Sequence, residues 1–239
     1  MTIHLVGGGP ESCPTPGLLD PFRDEVASRG GPLVVVLVER EGVLEEHLPR
    51  YAPLAGEGVE VRPVVIGDDS EIDPGAFDGA GGIVVGGGLT PRYHAGLHGV
   101  IDVVRDAVRA GTPYAGFSAG AMVAGETALL GGHLIGSLEV VHEDCAEGLS
   151  QIALEPGLGL VPFTCDVHAA QAGTLSRAVA IVGNGLVPRS VAIDEDTVLV
   201  VDGETMRVAG TGSVWLSEPA DHSVRLTRRS AGPVAWPGA

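Results

Sequence analysis

Two rhythms of apolar positions alternate along the first half of the chain. Short, β-branched apolar stretches occur at 3–6, 32–38, 59–66, 82–85 and 113–116, and each predicts a strand. The stretch at 32–38 is apolar without alternation, as expected of a strand buried on both faces. Between these stretches the apolar residues recur at helical spacing, which predicts helices at 18–29, 44–51 and 94–110. In the last of these, Leu97, Val100, Ile101, Val104 and Val108 form one stripe, and Gly111-Thr112-Pro113 is the stop signal. Strand–helix–strand alternation implies an α/β sandwich of three layers, with helices on both faces of a mostly parallel sheet.

The final third has a different pattern. Short strands are expected at 190–193, 198–201, 206–209 and 213–216, with Asp202-Gly203-Glu204 as a hairpin turn. They are read as an antiparallel C-terminal extension of the same sheet. The Pro- and Gly-rich tail beyond about residue 230 is expected to be loose. No repeat or linker divides the chain, so 1–239 is expected to be one domain.

Composition narrows the function. The chain has 239 residues, 44% of them hydrophobic and 19% charged, which supports a sizeable core. Its 37 glycines and 17 prolines lie between the apolar stretches and read as turns. A formal net charge of -17 repels phosphate backbones and anionic lipid surfaces, so neither nucleic acid nor membrane is expected as a partner. Cys13, Cys145 and Cys165 are too widely spaced for a CxxC pair or a disulfide framework. The sequence opens directly on a strand-like run, and no apolar stretch reaches the ~20 residues of a membrane span. A cytoplasmic location is expected.

The chemistry centres on Gly116-Phe117-Ser118-Ala119-Gly120, between the strand at 113–116 and a helical pattern from Ala121. G-x-S-x-G in that context puts serine on a tight, strained turn, with glycines where a Cβ would collide. The following helix start offers free N–H groups to a developing oxyanion, that of Ala119 first. A second glycine turn, Gly86-Gly87-Gly88, follows the strand at 82–85. Parallel strands end on the same edge, so Gly87 or Gly88 is placed to supply a second N–H. Gly7-Gly8-Gly9 is followed by Pro10-Glu11-Ser12, without the third glycine and helix start of a dinucleotide fingerprint. No cofactor is expected.

Serine needs a neutral imidazole to take its proton. Of the eight histidines, His94 and His98 share a helix at a spacing of four, but Ala95 stands where a zincin motif has glutamate, so no metal is expected. His133, His142 and His168 follow the elbow. His168 ends a strand expected at about 163–167, with helical spacing from Ala169.

Four motifs occur in order: Val85-Gly86-Gly87-Gly88; Gly116-Phe117-Ser118-Ala119-Gly120-Ala121; Gly159-Leu160-Val161-Pro162 with Asp166-Val167-His168; and Ala192-Ile193-Asp194-Glu195-Asp196-Thr197. Together they resemble the dipeptidase E and cyanophycinase family of serine peptidases, whose fold is class I glutamine amidotransferase-like (flavodoxin-like). The resemblance covers roughly residues 80 to 217. It implies Ser118 as nucleophile, His168 as base, and Gly88 with Ala119 as oxyanion hole. It also implies a homodimer. For the third member Glu195 is the first choice, because Ile193-Asp194-Glu195-Asp196-Thr197 matches the family pattern. Asp144, before the Gly-Leu-Val-Pro strand, is the alternative.

Cyanophycinases carry arginines just after the histidine, whereas here only Arg177 follows. Arg177 and Arg92 are the candidates for gripping a substrate carboxylate, with Gly87 lining the site. The expected activity is hydrolysis of a small peptide or amide through an acyl-enzyme. The alternatives are acyl transfer or amide formation with the same triad, and a non-catalytic binding protein on the same fold. Glutamine amidotransfer is not expected, because that chemistry uses cysteine at the elbow.

Overall fold

The computed structural model describes residues 1–67 and 71–236. Its main sheet contains the five expected parallel strands, β1 (Thr2–Val6), β2 (Leu33–Val38), β3 (Val61–Ile66), β4 (Gly82–Val85) and β5 (Tyr114–Phe117), ordered β1-β5-β4-β2-β3. Every residue of β2 is buried, as its unbroken apolar run requires. One face is covered by α1 (Asp20–Arg29) and α2 (Leu48–Tyr51), which contribute Phe22, Val26 and Tyr51 to a cluster with Val35, Leu37, Val84 and Phe117. The other is covered by α3 (Thr90–Leu97), α4 (Ile101–Arg109) and α5 (Ala119–Met122), with Tyr93, Leu97, Val104 and Val108 against Val34, Val36, Ile83 and Val85. This is an α/β sandwich of three layers. No helix among the described residues is long and apolar enough to cross a membrane.

Two helices differ from expectation. The stretch at 94–110 is not continuous: a 3-10 turn, His98–Val100, separates α3 from α4. Gly96 and Gly99 weaken the helix there, and the Gly96 backbone is so close to Ile66 that a Cβ would come within 2.3 Å of its side chain. The stretch at 44–51 begins as a π-helical turn, Val43–His47, before α2, with Pro49 in the first turn of α2.

After β5 the chain forms two small antiparallel pairs, β6 (Thr127–Gly131) with β9 (Ala153–Pro156) and β7 (Leu134–Ile135) with β8 (Leu138–Glu139). The remaining elements are β10 (Thr164–Val167), α6 (Leu175–Gly183), β11 (Ser190–Ile193), β12 (Thr197–Asp202), β13 (Thr205–Gly210), β14 (Val214–Ala220), β15 (Ser223–Arg229) and β16 (Gly232–Val234).

The C-terminal extension divides, and this corrects the expectation of one continuous sheet. Strands β12, β13 and β16 extend the main sheet antiparallel beyond β1, while β10-β11-β14-β15 form a second sheet. The chain crosses between the sheets at Asp194, Glu195 and Asp196. Asp196 has φ 50°, and its carboxylate accepts hydrogen bonds from Thr15 and Thr211, which hold the turn. One cluster contains Val167, Ile193, Val214 and Leu216 of the second sheet with Ile3 and Leu5 of the first, so the sheets share a core.

The tail is also ordered farther than expected. Strand β16 pairs with β13, and the Trp236 ring packs on Phe163 and lies 4.8 Å beneath the Arg189 guanidinium. Residues 237–239 lie outside the described residues. Helix α6 begins at Leu175 and not directly after His168. The intervening loop is fixed by Thr174, whose hydroxyl bonds the Val167 carbonyl, and by Gly173 at φ 72°.

Candidate active site

All five parallel strands end on one edge of the sheet, and ligand-binding residues belong beyond that edge. Ser118 follows β5 there at φ 49° and ψ -106°. That conformation is unfavourable for a residue with a Cβ, and the surroundings impose it. A Cβ on Gly116 would stand 2.4 Å from the Gly120 carbonyl oxygen, and one on Gly120 would stand 2.2 Å from that of Val85. The glycines let strand and helix close tightly around the serine, as the G-x-S-x-G spacing predicts.

His168 follows β10 in the second sheet, also with positive φ (56°). Its backbone N–H donates to the Gly7 carbonyl at 2.9 Å, which ties the end of β10 to the end of β1. Gly7 sits where a Cβ would come within 2.0 Å of the Asp194 carbonyl oxygen. The first glycine run therefore serves close packing beneath the site.

These constraints bring three side chains into line. Ser118 Oγ lies 2.9 Å from His168 Nε2, and His168 Nδ1 lies 2.7 Å from Glu195 Oε1. An ionised carboxylate only accepts, so Nδ1 carries the hydrogen and Nε2 is left to accept the Ser118 hydroxyl proton. Glu195 reaches this position because it lies on the crossing between the sheets. Its own backbone N–H donates to Gln171 Oε1 at 3.0 Å. Neighbouring Asp194 is buried and accepts from Ala170 N–H, Ser213 N–H and the Trp215 indole, which pins the segment after His168 to the crossing.

Asp144 is elsewhere. It is 85% exposed and 3.3 Å from His142, so the carboxylate beside His168 is that of Glu195.

The glycine turn after β4 stands opposite Ser118. A Cβ on Gly87 would be 3.4 Å from Ser118 Cβ. The Gly87 N–H is already engaged, donating to Tyr51 Oη at 3.0 Å. The N–H groups of Gly88 and Ala119 have no hydrogen-bond partner among the described residues. Gly88, at φ 153°, has a conformation that favours glycine.

Neither arginine expected at the substrate lines the cavity beside Ser118. Arg177 is 2% exposed and bound to Asp166, itself fully buried, through Nε at 2.9 Å and Nη2 at 2.8 Å. Its Nη1 donates to the carbonyls of Gly132 and Cys145. Burial opposes its charge, but Asp166 and Glu147 more than restore it, so its pKa is raised. Arg177 is an internal brace behind the histidine strand. Arg92 donates to the Glu39 carbonyl at 3.1 Å and lines a neighbouring groove of about 330 Å³ with Arg40, Gly88, Leu89 and Glu147.

The cavity at Ser118, about 170 Å³, is lined with Gly9, Glu11, Arg40, His47, Arg50, Tyr51, Gly87, Gly88 and His168. Its cationic wall is Arg40 and Arg50, with His47 beside them. Arg50 lies 3.6 Å from Glu11. His47 is held below its ordinary pKa, first by desolvation and then by the positive charges of Arg40 and Arg50. None of these residues was singled out from the sequence. The signal was present for Arg40, which stands two residues beyond β2 on the same edge as Ser118. No group of three or more His, Cys, Asp or Glu among the described residues is arranged to hold a metal ion.

The sequence model of peptidase family S51 matches residues 57–209. The chain belongs to peptidase family S51, the dipeptidase E family. Membership in S51 makes it a peptidase of the serine class. A crystal structure of a peptidase from an acI-B1 Actinobacterium is similar with a TM-score of 0.67, at 18% identity over 98% of this chain and 96% of that one. A Listeria monocytogenes EGD-e protein assigned as a peptidase E is similar with a TM-score of 0.57, at 16% identity over 88% of this chain and 98% of that one. At these identities the likeness shows the fold. No curated protein matches the chain. Within this S51 chain, Glu11, Arg40, His47, Arg50 and Tyr51 all precede the matched segment.

Proposed function

We propose that the protein hydrolyses a small peptide or amide through an acyl-enzyme on Ser118. The observation that carries this reading is the hydrogen-bonded chain from Ser118 through His168 to Glu195, at 2.9 and 2.7 Å. Ser118 Oγ attacks the scissile carbonyl while its proton passes to His168 Nε2. Glu195 stabilises the imidazolium that forms. The negative oxygen of the tetrahedral intermediate accepts from the N–H groups of Gly88 and Ala119. As the C–N bond breaks, His168 returns the proton to the leaving amine. Water then attacks the ester by the same steps, releasing the acid and restoring Ser118.

His168 and Glu195 side chains remain 29% and 30% exposed, so water has access to the acyl-enzyme. That favours hydrolysis over transfer to an amine, which needs a site closed to water. Product analysis at rising concentrations of an added amine separates the two. Free acid at every concentration supports hydrolysis, and accumulating amide supports transfer.

The choice of carboxylate is tested by two variants. Glu195→Gln keeps the shape but loses the charge, and kcat is expected to fall by about 10²- to 10⁴-fold. Asp144→Asn is expected to change kcat by less than about twofold. The reverse ranking overturns the assignment.

The cationic wall suits a substrate with a carboxylate near the scissile bond, since Arg40 and Arg50 line the cavity beside Ser118. Arg50→Ala is expected to raise KM for acidic dipeptides by about tenfold, the worth of one charge-assisted contact. KM for an uncharged ester reporter should hardly move. An equal rise for both would remove charge recognition from the account.

A further inference from the structure

The turn that carries Gly88 is held from several sides. Gly86 N–H donates to the Val36 carbonyl at 3.0 Å. Gly87 N–H donates to Tyr51 Oη at 3.0 Å, and the Gly87 carbonyl accepts from Arg40 Nη2 at 2.9 Å and Tyr93 Oη at 3.2 Å. Thr90 N–H donates to Glu147 Oε2 at 3.1 Å. Tyr51 and Tyr93 are 3% and 0% exposed, while Arg40 reaches in from the rim. Burial raises the pKa of both phenols, which keeps them protonated at neutral pH. The 86–88 turn has no side chains of its own to fix it, and glycine samples more backbone conformations than any other residue.

A trans peptide sets its N–H opposite its C=O, and the described residues contain no cis bond. Whatever holds the Gly87 carbonyl therefore also aims the Gly88 N–H. We propose that Arg40 and Tyr51 are positioning residues that lock the Gly87–Gly88 peptide with its N–H toward Ser118, so that the oxyanion site exists before substrate arrives. Tyr51 fixes the peptide plane before Gly87, and Arg40, assisted by Tyr93, fixes the plane after it. A preset donor stabilises the transition state without reorganisation, whereas a free glycine turn must first find the conformation. This inference rests on Ser118 as nucleophile and Gly88 as oxyanion donor.

The test compares wild type with Tyr51→Phe, Arg40→Met and the double variant. Three readouts are used: kcat and KM on an uncharged ester, the second-order rate of Ser118 labelling by an uncharged fluorophosphonate, and the thermal midpoint. The ceiling is the worth of one oxyanion donor, about 10²- to 10³-fold. Each single variant is expected to lower kcat and the labelling rate by about five- to tenfold with KM within about twofold. The double variant should approach the ceiling, because neither plane is then fixed. Arg40→Lys, which keeps a donor within reach of the Gly87 carbonyl, should recover part of the loss.

Unchanged kcat and labelling in the double variant overturn the proposal. So does a rise in KM alone, which would make Arg40 a substrate contact. If Tyr51→Phe does not fold, the Arg40→Met and Arg40→Lys pair decides alone: a kcat loss with partial recovery supports the lock, and no loss refutes it. Ser118→Ala serves as the separate control. Undiminished turnover or labelling in that variant refutes the nucleophile, and the lock with it. A silent Ser118→Ala with kinetically normal lock variants refutes the lock alone.

Discussion

Replacing Ser118 with alanine is expected to lower kcat by roughly 10⁴- to 10⁶-fold on any peptide or ester the protein turns over. The size follows from the mechanism: without Oγ there is no acyl-enzyme, and what remains is binding and the oxyanion donors acting on water. Because Ser118 and His168 act as one unit, His168→Ala should cost about as much, and the double variant little more. The fold should survive. Among the described residues Ser118 Oγ bonds only the partly exposed His168, and alanine keeps the Cβ that the elbow already accommodates. Steady-state kinetics with a thermal melt check this. Turnover within about tenfold of wild type in a folded variant contradicts it.

The second large effect falls on stability. Arg177→Met leaves Asp166, with 0% exposure, as an unpaired buried carboxylate, and the carbonyls of Gly132 and Cys145 lose their donor. Breaking a buried pair by removing one partner costs about 3–5 kcal/mol. In a chain of this size that is a fall of roughly 6–20 °C in the unfolding midpoint. Asp166 lies two residues before His168, so the loosened strand end should lower kcat as well. Removing both charges, as Arg177→Met with Asp166→Asn, should recover a large part of the stability, since no bare charge remains buried. Differential scanning calorimetry of the three variants decides it. An unchanged midpoint with a raised KM would instead restore Arg177 to the substrate.

The contrast between Ser118 and Arg177 shows what the sequence could convey. Ser118 sits in a local pattern whose geometry is fixed within five residues: two glycines, a strand before, a helix after. The parallel strands were legible for the same reason, because an apolar run such as that of β2 can be satisfied only by burial on both faces. Arg177 is decided by distant residues. Nothing near it in the chain says that Asp166 will be sealed beside it, and an arginine after the histidine reads equally well as ligand or brace.

The split of the C-terminal strands was hidden for a related reason. Strands β11 and β12 have the same short apolar pattern, yet Asp194, Glu195 and Asp196 turn the chain between them from one sheet to the other. That crossing is also what brings Glu195 to His168, while Asp144 is left in solvent. Arg40, His47, Arg50 and Tyr51 were not singled out because their segment carries no motif. They matter through the sheet edge they share with Ser118.

The most direct measurement needs no knowledge of the substrate. The protein is incubated with a fluorophosphonate, and its intact mass and fragment peptides are recorded. The account predicts a single adduct on Ser118, absent from Ser118→Ala and strongly slowed in His168→Ala. A wild-type protein that takes no adduct, or an adduct that persists at another residue when Ser118 is alanine, contradicts it.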